Sequence, residues 1–279
     1  MESVIDLGEL NGPVLLFGGP YSNLAASQAM QLEARRLGIA PERLICTGDT
    51  VAYCAQPAET VELIRRWGIA VVMGNCEQSL AEGAPDCGCG FEADSACSLL
   101  SVGWYRYASQ RISEPQRRWM AGLPRQIRFK LNGRRFLVVH GGVERINEFL
   151  FASSSAVQKQ TQLAQAAADV VVGGHCGIPF GSALESGYWL NSGAIGMPAN
   201  DGTPDGWYLL LTPQADRIEA SWHRLSYEVA ASYQAMLEAG LSNGYAEALQ
   251  TGLWPSMDVL PEAEKCRAGQ PLRLETLII

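Results

Sequence analysis

A chain of 279 residues, 47% of them hydrophobic, is long enough to bury one large α/β core or two small ones. Its 21 basic and 29 acidic residues leave a formal charge of -8, which argues against a nucleic-acid surface, since that needs a clustered basic stripe. There is no run of about 18 apolar residues to span a membrane, and "MESVIDLGEL" lacks the basic start and apolar block of a signal peptide, so a cytoplasmic protein is expected.

The opening 75 residues alternate as βαβαβ. "VLLFGG" (14–19) is an apolar run suited to a strand buried on both faces. "SNLAASQAMQLEARRLG" (22–38) predicts a helix capped by Ser22 or Asn23 and stopped by Gly38. "RLICTGD" (43–49) is a second strand, "PAETVELIRRWG" (57–68) a second helix with Pro57 near its start, and "IAVVMGN" (69–75) a third strand. This spacing implies right-handed crossovers and a mostly parallel sheet. Residues 76–111 break the rhythm as an insertion with a short helix near "SACSLLSVGWY".

Ser113 and Gln116 have capping-box spacing, and Asn132-Gly133 between two strand-like runs predicts a hairpin. A helix at about 154–168 leads into the buried strand of "DVVVGGHCGIPF". "YWLNSGAIGMP", "GWYLLLTP" and "RIEASWHRL" look like antiparallel strands, and helices at about 226–240 and 243–252 precede a less regular tail.

Four polar signatures follow predicted strand ends: Gly48-Asp49, Gly74-Asn75, His140 in "LVVHGG", and Gly174-His175. Ligands of α/β sheets bind beyond the carboxyl ends of strands. One carboxylate, one amide oxygen and two imidazoles make a donor set for a first-row divalent metal. With only three histidines in the chain, two in one constellation point to ligation; His223 is expected as a half-exposed strand residue. Taken alone, Asp49 could equally cap the next helix.

The order and spacing of these signatures resemble the calcineurin-like metallophosphoesterase family, with motifs D-x-H, G-D, G-N-H-[DE], H and G-H-x-H. "GDTVAYCAQP" and "GNCEQ" resemble the second and third motifs, and "NSGAIGMPANDGTP" resembles the stretch that often follows the last. The resemblance implies an α/β fold, a two-sheet mixed β-sandwich flanked by helices. It implies one such domain over 1–225, carrying the 76–111 insertion over the sheet end, and a helical extension over 226–279 packed on it. It also implies hydrolysis of a phosphoester with bound divalent metal.

Carried over residue by residue, one metal position is complete: Asp49, Asn75, His140 and His175. The two histidine side chains are then expected within about 8 Å of each other. The other position keeps only the shared Asp49, because Gly19, Tyr21 and Gly177 replace its remaining ligands. Tyr21 is expected to fill the vacated space. Cys76 replaces the histidine that contacts the phosphate or assists the leaving group, so Cys76 and Asp49 are the catalytic candidates. The implied cofactor is one manganese, iron or zinc ion per chain, and the implied partner a small phosphorylated molecule. The activity expected is weak or altered; the alternative is a non-catalytic pseudoenzyme.

Eight cysteines in a reducing compartment are expected as thiols or metal ligands rather than disulfides. Cys54, Cys76 and Cys176 fall near the same sheet end, either as small buried hydrophobes or as a thiol rim. Cys87, Cys89 and Cys97 lack zinc-ribbon spacing and are expected as free thiols in the insertion.

Overall fold

The computed structural model describes residues 3–90, 95–242 and 244–279. Within the expected insertion, residues 91–94 lie outside the described residues, as does residue 243 at the start of the expected helix 243–252.

The chain runs β1 (Val4–Leu10), β2 (Val14–Phe17), α1 (Leu24–Arg36), β3 (Leu44–Cys46), α2 (Pro57–Trp67), β4 (Ala70–Val71), then three helices, α3 (Asn75–Glu82), α4 (Ala96–Ser109) and α5 (Glu114–Ala121). Next come β5 (Gln126–Leu131), β6 (Arg134–Val138), α6 (Ala156–Ala166), β7 (Val170–Gly173), β8 (Phe180–Leu184), β9 (Gly187–Asn191), β10 (Gly206–Pro213) and β11 (Ile218–Leu225). The C-terminal part holds α7 (Val229–Glu238), α8 (Tyr245–Thr251), α9 (Glu262–Lys265) and β12 (Leu277–Ile278).

The strands form two six-stranded mixed sheets, ordered β1-β5-β6-β7-β9-β8 and β12-β11-β10-β2-β3-β4. In the second sheet β2, β3 and β4 are parallel, as the βαβαβ opening requires, and β10 and β11 are antiparallel. One expectation is corrected. β9, from "YWLN", sits in the first sheet, parallel to β7 and antiparallel only to β8. Its side-chain pattern is compatible with either sheet, and only the chain path to β8 decides.

Apolar side chains from both sheets meet between them, Leu16, Ile45 and Val72 against Val138, Val172 and Leu190, all fully buried. Each such side chain stabilises the fold by roughly 1.5–3 kcal/mol. Outside, α1 and α2 place Met30 and Ile64 on the second sheet, and α6 places Leu163 and Ala166 on the first. A further cluster caps one end of the sandwich. There Trp104 of α4 and Tyr245 of α8 pack on Tyr53, with ring centroids 5.2 Å and 4.5 Å away.

Local signals explain the element ends. Asn23 caps α1 by accepting from the Ala26 N–H, and the same amide donates to the Gly196 carbonyl, tying the helix start to the loop after β9. Ser113 and Gln116 form a capping box on α5. Asn132 and Gly133 have φ of 49° and 74°, the pair of positive values that a type I′ hairpin needs. The strand β1, absent from the sequence reading, is an exposed edge; its Asp6 and Glu9 suit an edge facing water, and its pattern lacks a buried face. Among the described residues no helix is long and apolar enough to cross a membrane.

Candidate metal centre and the cavity beside it

Asp49 and Asn75 follow β3 and β4 of one sheet; His140 and His175 follow β6 and β7 of the other. The four side chains therefore meet across the end of the sandwich. His140 Nε2 lies 3.0 Å from Asn75 Oδ1, 3.0 Å from His175 Nδ1 and 3.3 Å from Asp49 Oδ2. Arms of about 2.1 Å to a shared ion would place donors about 3.0–3.4 Å apart in an octahedral or tetrahedral shell. Ligand atoms of Asp49, His140 and His175 all lie within 4.8 Å of one another.

The hydrogen bonds behind these atoms settle their character. His140 Nδ1 stands 2.7 Å from the Thr47 carbonyl, which only accepts, so Nδ1 carries a proton and Nε2 is the atom left to bind either a second proton or a cation. The Asn75 amide nitrogen donates to the Cys87 carbonyl at 2.8 Å, which turns Oδ1 toward His140. Acceptor atoms of Asn75, His175 and Asp49 thus converge on His140 Nε2 at hydrogen-bond distance in a buried site. Such an arrangement is repulsive unless a proton or a cation stands among them.

The charges follow. Burial opposes ionisation of Asp49, but His140 beside it outweighs this and holds the carboxyl below its usual range. Burial likewise opposes the His140 cation, and Asp49 overcomes it, raising that pKa. His175 is pushed down to about 3 by burial and by His140, and stays neutral.

Asp49 is held in a left-handed conformation, φ 56°, a strained choice for a non-glycine residue. Glu77 supports it. Its buried carboxylate accepts from the Asp49, Thr50 and Gly74 N–H groups and from the Thr50 hydroxyl, at 2.6–2.9 Å. Gly74 is required between them, since a Cβ there would lie 2.3 Å from Asp49 Oδ1. The other carboxylate oxygen contact of Asp49 is the Cys76 N–H at the start of α3, 3.2 Å away, where the helix dipole favours an anion. Sequence reading passed over Glu77, although the acidic residue of "GNCEQ" was the available signal.

Cys76 is buried, and its thiol lies 3.5 Å from the Asn75 amide nitrogen. Burial, eased only partly by a hydrogen bond to Cys89, holds that thiol neutral, well above its usual range. The same amide nitrogen is 3.2 Å from Cys89, whose sulfur is 2.6 Å from that of Cys87. The insertion thus grips a metal-ligand candidate. All eight cysteines are free, and burial raises Cys54 and pushes Cys176 up to about 12.

Where the resemblance would put a second metal position, the Tyr21 ring lies against both Gly19 and Gly177. A Cβ on Gly19 would meet Tyr21 Cε2 at 2.4 Å, and one on Gly177 would lie 3.5 Å from Tyr21 Oη. Burial, then Asp49, raises the Tyr21 phenol well above its usual range, so it stays neutral. Tyr21 also borders a cavity of about 60 Å³ that opens onto Asp49 and His175. Its walls are Tyr53, Phe149, Tyr245 and Trp254, with Met197 and Val259; Cys89 and Cys176 line it, and Cys76 does not. Phe149 lies over the His175 ring at a centroid distance of 4.2 Å. His223 is half-buried on β11, bonded to the Ser221 hydroxyl and stacked on Tyr208, away from the site.

Residues 25–216 match the calcineurin-like phosphoesterase superfamily domain, and the chain belongs to that superfamily. An uncharacterized protein of Methanocaldococcus jannaschii is 25% identical over 250 residues, covering 83% of this chain and 95% of that protein. The crystal structure of a metallophosphoesterase from Sphaerobacter thermophilus superposes with a TM-score of 0.68 at 22% identity, covering 86% of this chain and 99% of the other. A hypothetical protein from Pyrococcus horikoshii superposes with a TM-score of 0.73 at 14% identity, covering 86% and 98%. These likenesses establish the two-sheet sandwich flanked by helices.

Proposed function

We propose that this chain is a metal-dependent phosphoric ester hydrolase working with one divalent ion, manganese, iron or zinc, held by Asp49, Asn75, His140 and His175. The observation that carries this reading is the convergence of three other candidate ligand atoms on His140 Nε2, at 3.0–3.3 Å. A bound ion supplies polarisation of a phosphoryl oxygen and a lowered pKa for a bound water. The chain's own residues do the rest. Thr47 fixes the His140 tautomer, Glu77 holds the Asp49 turn, and Cys87 and Cys89 orient Asn75. Cys76, buried and neutral, lies against the same Asn75 amide nitrogen. In hydrolysis, water adds to phosphorus, the ester P–O bond breaks, and the water proton leaves with the alcohol. The free thiols fit a reducing, cytoplasmic setting.

Activity below that of dinuclear relatives follows from counting charge. Two divalent ions place about four positive charges at the phosphate and one places two. Tyr21 adds none while neutral.

Elemental analysis of the purified protein, with hydrolysis of bis(4-nitrophenyl) phosphate in manganese, tests this. Close to one ion per chain and slow turnover, both lost in His140→Ala, are expected. Ordinary enzyme rates unaffected by His140→Ala would sink the metal-site account.

One observation favours a second reading, a non-catalytic binding protein: the Tyr21 ring stands where a second ion's ligands would be. One bound ion per chain with no turnover of any phosphoester would support it.

A further inference from the structure

Cys87 and Cys89 hold Asn75, yet their sulfurs take no part in ester hydrolysis. The two sulfurs lie 2.6 Å apart, with Cys87 donating to Cys89. Gly88 between them has φ 65°, a turn that brings both side chains together. A Cβ on Gly88 would lie 2.8 Å from Ser79 Oγ, so the position suits glycine alone. The turn is held on both sides. The Gly88 N–H donates to Asp86 Oδ1 at 2.9 Å, and the Gly88 carbonyl accepts from the Asn147 amide at 2.9 Å. Cys46, Cys54 and Cys176, by contrast, donate to backbone carbonyls, those of Gly48, Gly196 and Ile178.

The sulfur separation discriminates between two uses of a thiol pair. Sulfurs that share a zinc ion at about 2.3 Å each stand about 3.8 Å apart in a tetrahedral shell. A disulfide holds them about 2.05 Å apart. The observed 2.6 Å is nearer the covalent pair. In a reducing compartment such bonds are transient and serve redox sensing. Cys89 lines the cavity of about 60 Å³ beside Asp49, and Cys87 does not. One water needs about 10–15 Å³, so a peroxide fits in this space and meets Cys89 first.

We infer that Cys87 and Cys89 are a redox modification site, which a peroxide converts into a reversible intrachain disulfide. The Cys89 sulfur attacks one peroxide oxygen. The O–O bond breaks, and the second oxygen leaves as water with the thiol proton, giving a sulfenic acid. The Cys87 sulfur then attacks the Cys89 sulfur. The S–S bond forms, the S–O bond breaks, and the hydroxyl leaves as water with the Cys87 proton. Two thiols lose two electrons and one peroxide becomes two waters. The hydrogen bond to Cys89, then burial, raises the Cys87 thiol, and burial raises the Cys89 thiol, so both are neutral. The first step is therefore slow and answers sustained oxidant. The adjacent Cys87 makes the second step prompt and spares Cys89 further oxidation.

The site is coupled to Asn75, whose amide nitrogen donates to the Cys87 carbonyl at 2.8 Å and to the Cys89 sulfur at 3.2 Å. Closure draws both acceptors into one ring and changes that grip. Outer-shell partners of this kind are worth about 10–100-fold in metal affinity. This consequence, unlike the disulfide itself, rests on the metal-centre reading above.

The test treats the metal-free full chain with excess hydrogen peroxide, blocks free thiols with N-ethylmaleimide in denaturant, and maps the products by tandem mass spectrometry. A disulfide within the segment holding Cys87 and Cys89 is expected, with both thiols recovered after dithiothreitol. Cys87→Ser should leave Cys89 as a sulfenic or sulfinic acid instead. The exposed Cys266 reports that oxidant was sufficient. A disulfide from Cys89 to Cys76 or Cys97, or a pair still fully blocked once Cys266 is oxidised, overturns the assignment. Manganese affinity, read against a chelator after desalting, should be weaker by at least about tenfold in the oxidised chain and restored by reduction. Equal affinity overturns the coupling to Asn75. The disulfide formed in a chain that binds no ion in either state supports the site and overturns the metal-centre reading.

Discussion

His140 and His175 sit 35 residues apart in sequence, yet Nε2 of one lies 3.0 Å from Nδ1 of the other. The backbone sets this distance. The His175 and Gly174 N–H groups both donate to the His140 carbonyl, at 2.8 Å and 2.7 Å, so the strand-end loops are locked before any ion binds. A preformed site spends little binding energy on ordering its ligands.

Removing a ligand from such a site should release the ion. Asn75→Ala deletes one donor and frees the insertion's grip on this position. Loss of an outer-shell partner alone costs about 10–100-fold in affinity, so loss of this ligand should cost more than about 100-fold. Competition against a chelator of known affinity measures it; unchanged affinity would exclude Asn75 from the shell.

Metal binding should be linked to pH through His140. Below the ordinary histidine value of about 6.5, folded and unfolded chains both carry the proton, and the Asp49 contact contributes fully to stability. As pH rises through the raised folded value, that contribution is lost. A bound cation takes the proton's place. His175, pushed down to about 3, releases nothing. Calorimetry in buffers of different ionisation enthalpy should find about one proton released per ion below the ordinary histidine value, and progressively less as pH rises through the raised folded value. The melting-temperature gap between metal-bound and metal-free protein should widen over the same interval.

Glu77→Gln tests the support of the Asp49 turn. The amide keeps one acceptor but points N–H donors at groups that themselves donate. Each buried unsatisfied group costs about 1–3 kcal/mol, so a loss of roughly 2–4 kcal/mol in unfolding free energy is expected. Denaturant unfolding of the metal-free protein reads this. An unchanged midpoint would mean the turn holds without Glu77.

Restoring the second metal position requires substitutions made together. Gly19→Asp alone drives a Cβ into the Tyr21 ring at 2.4 Å, so it should destabilise the chain. Combined with Tyr21→His and Gly177→His, it removes the obstacle and supplies three ligands. Metal content should rise from about one toward two ions per chain, and diester hydrolysis with it. The backbone at Gly19 and Gly177 has φ of 47° and 69°, so each non-glycine replacement carries a strain of about 1–2 kcal/mol. A folded triple variant still holding one ion would show that this position cannot be rebuilt from side chains alone.

The amino-acid sequence by itself determined the βαβαβ core and the four ligand candidates, because each is a short-range pattern. An apolar run fills a buried strand, a glycine turns beside it, and a polar residue follows at the strand end, as in "ICTGD", "VVMGN" and "VVGGH". The hairpin at Asn132-Gly133 and the Ser113 capping box were legible for the same reason. Tertiary structure alone decided which sheet receives β9, whose pattern suits either, and that β1 forms an edge, whose exposed residues leave no apolar period. It alone showed that Glu77 rather than a metal braces the Asp49 turn, and that Tyr245 and Trp254 return about 200 residues later to wall the cavity at Asp49. Contacts of that span depend on how the packed layers bring distant segments together, and such proximity leaves no periodic trace along the chain.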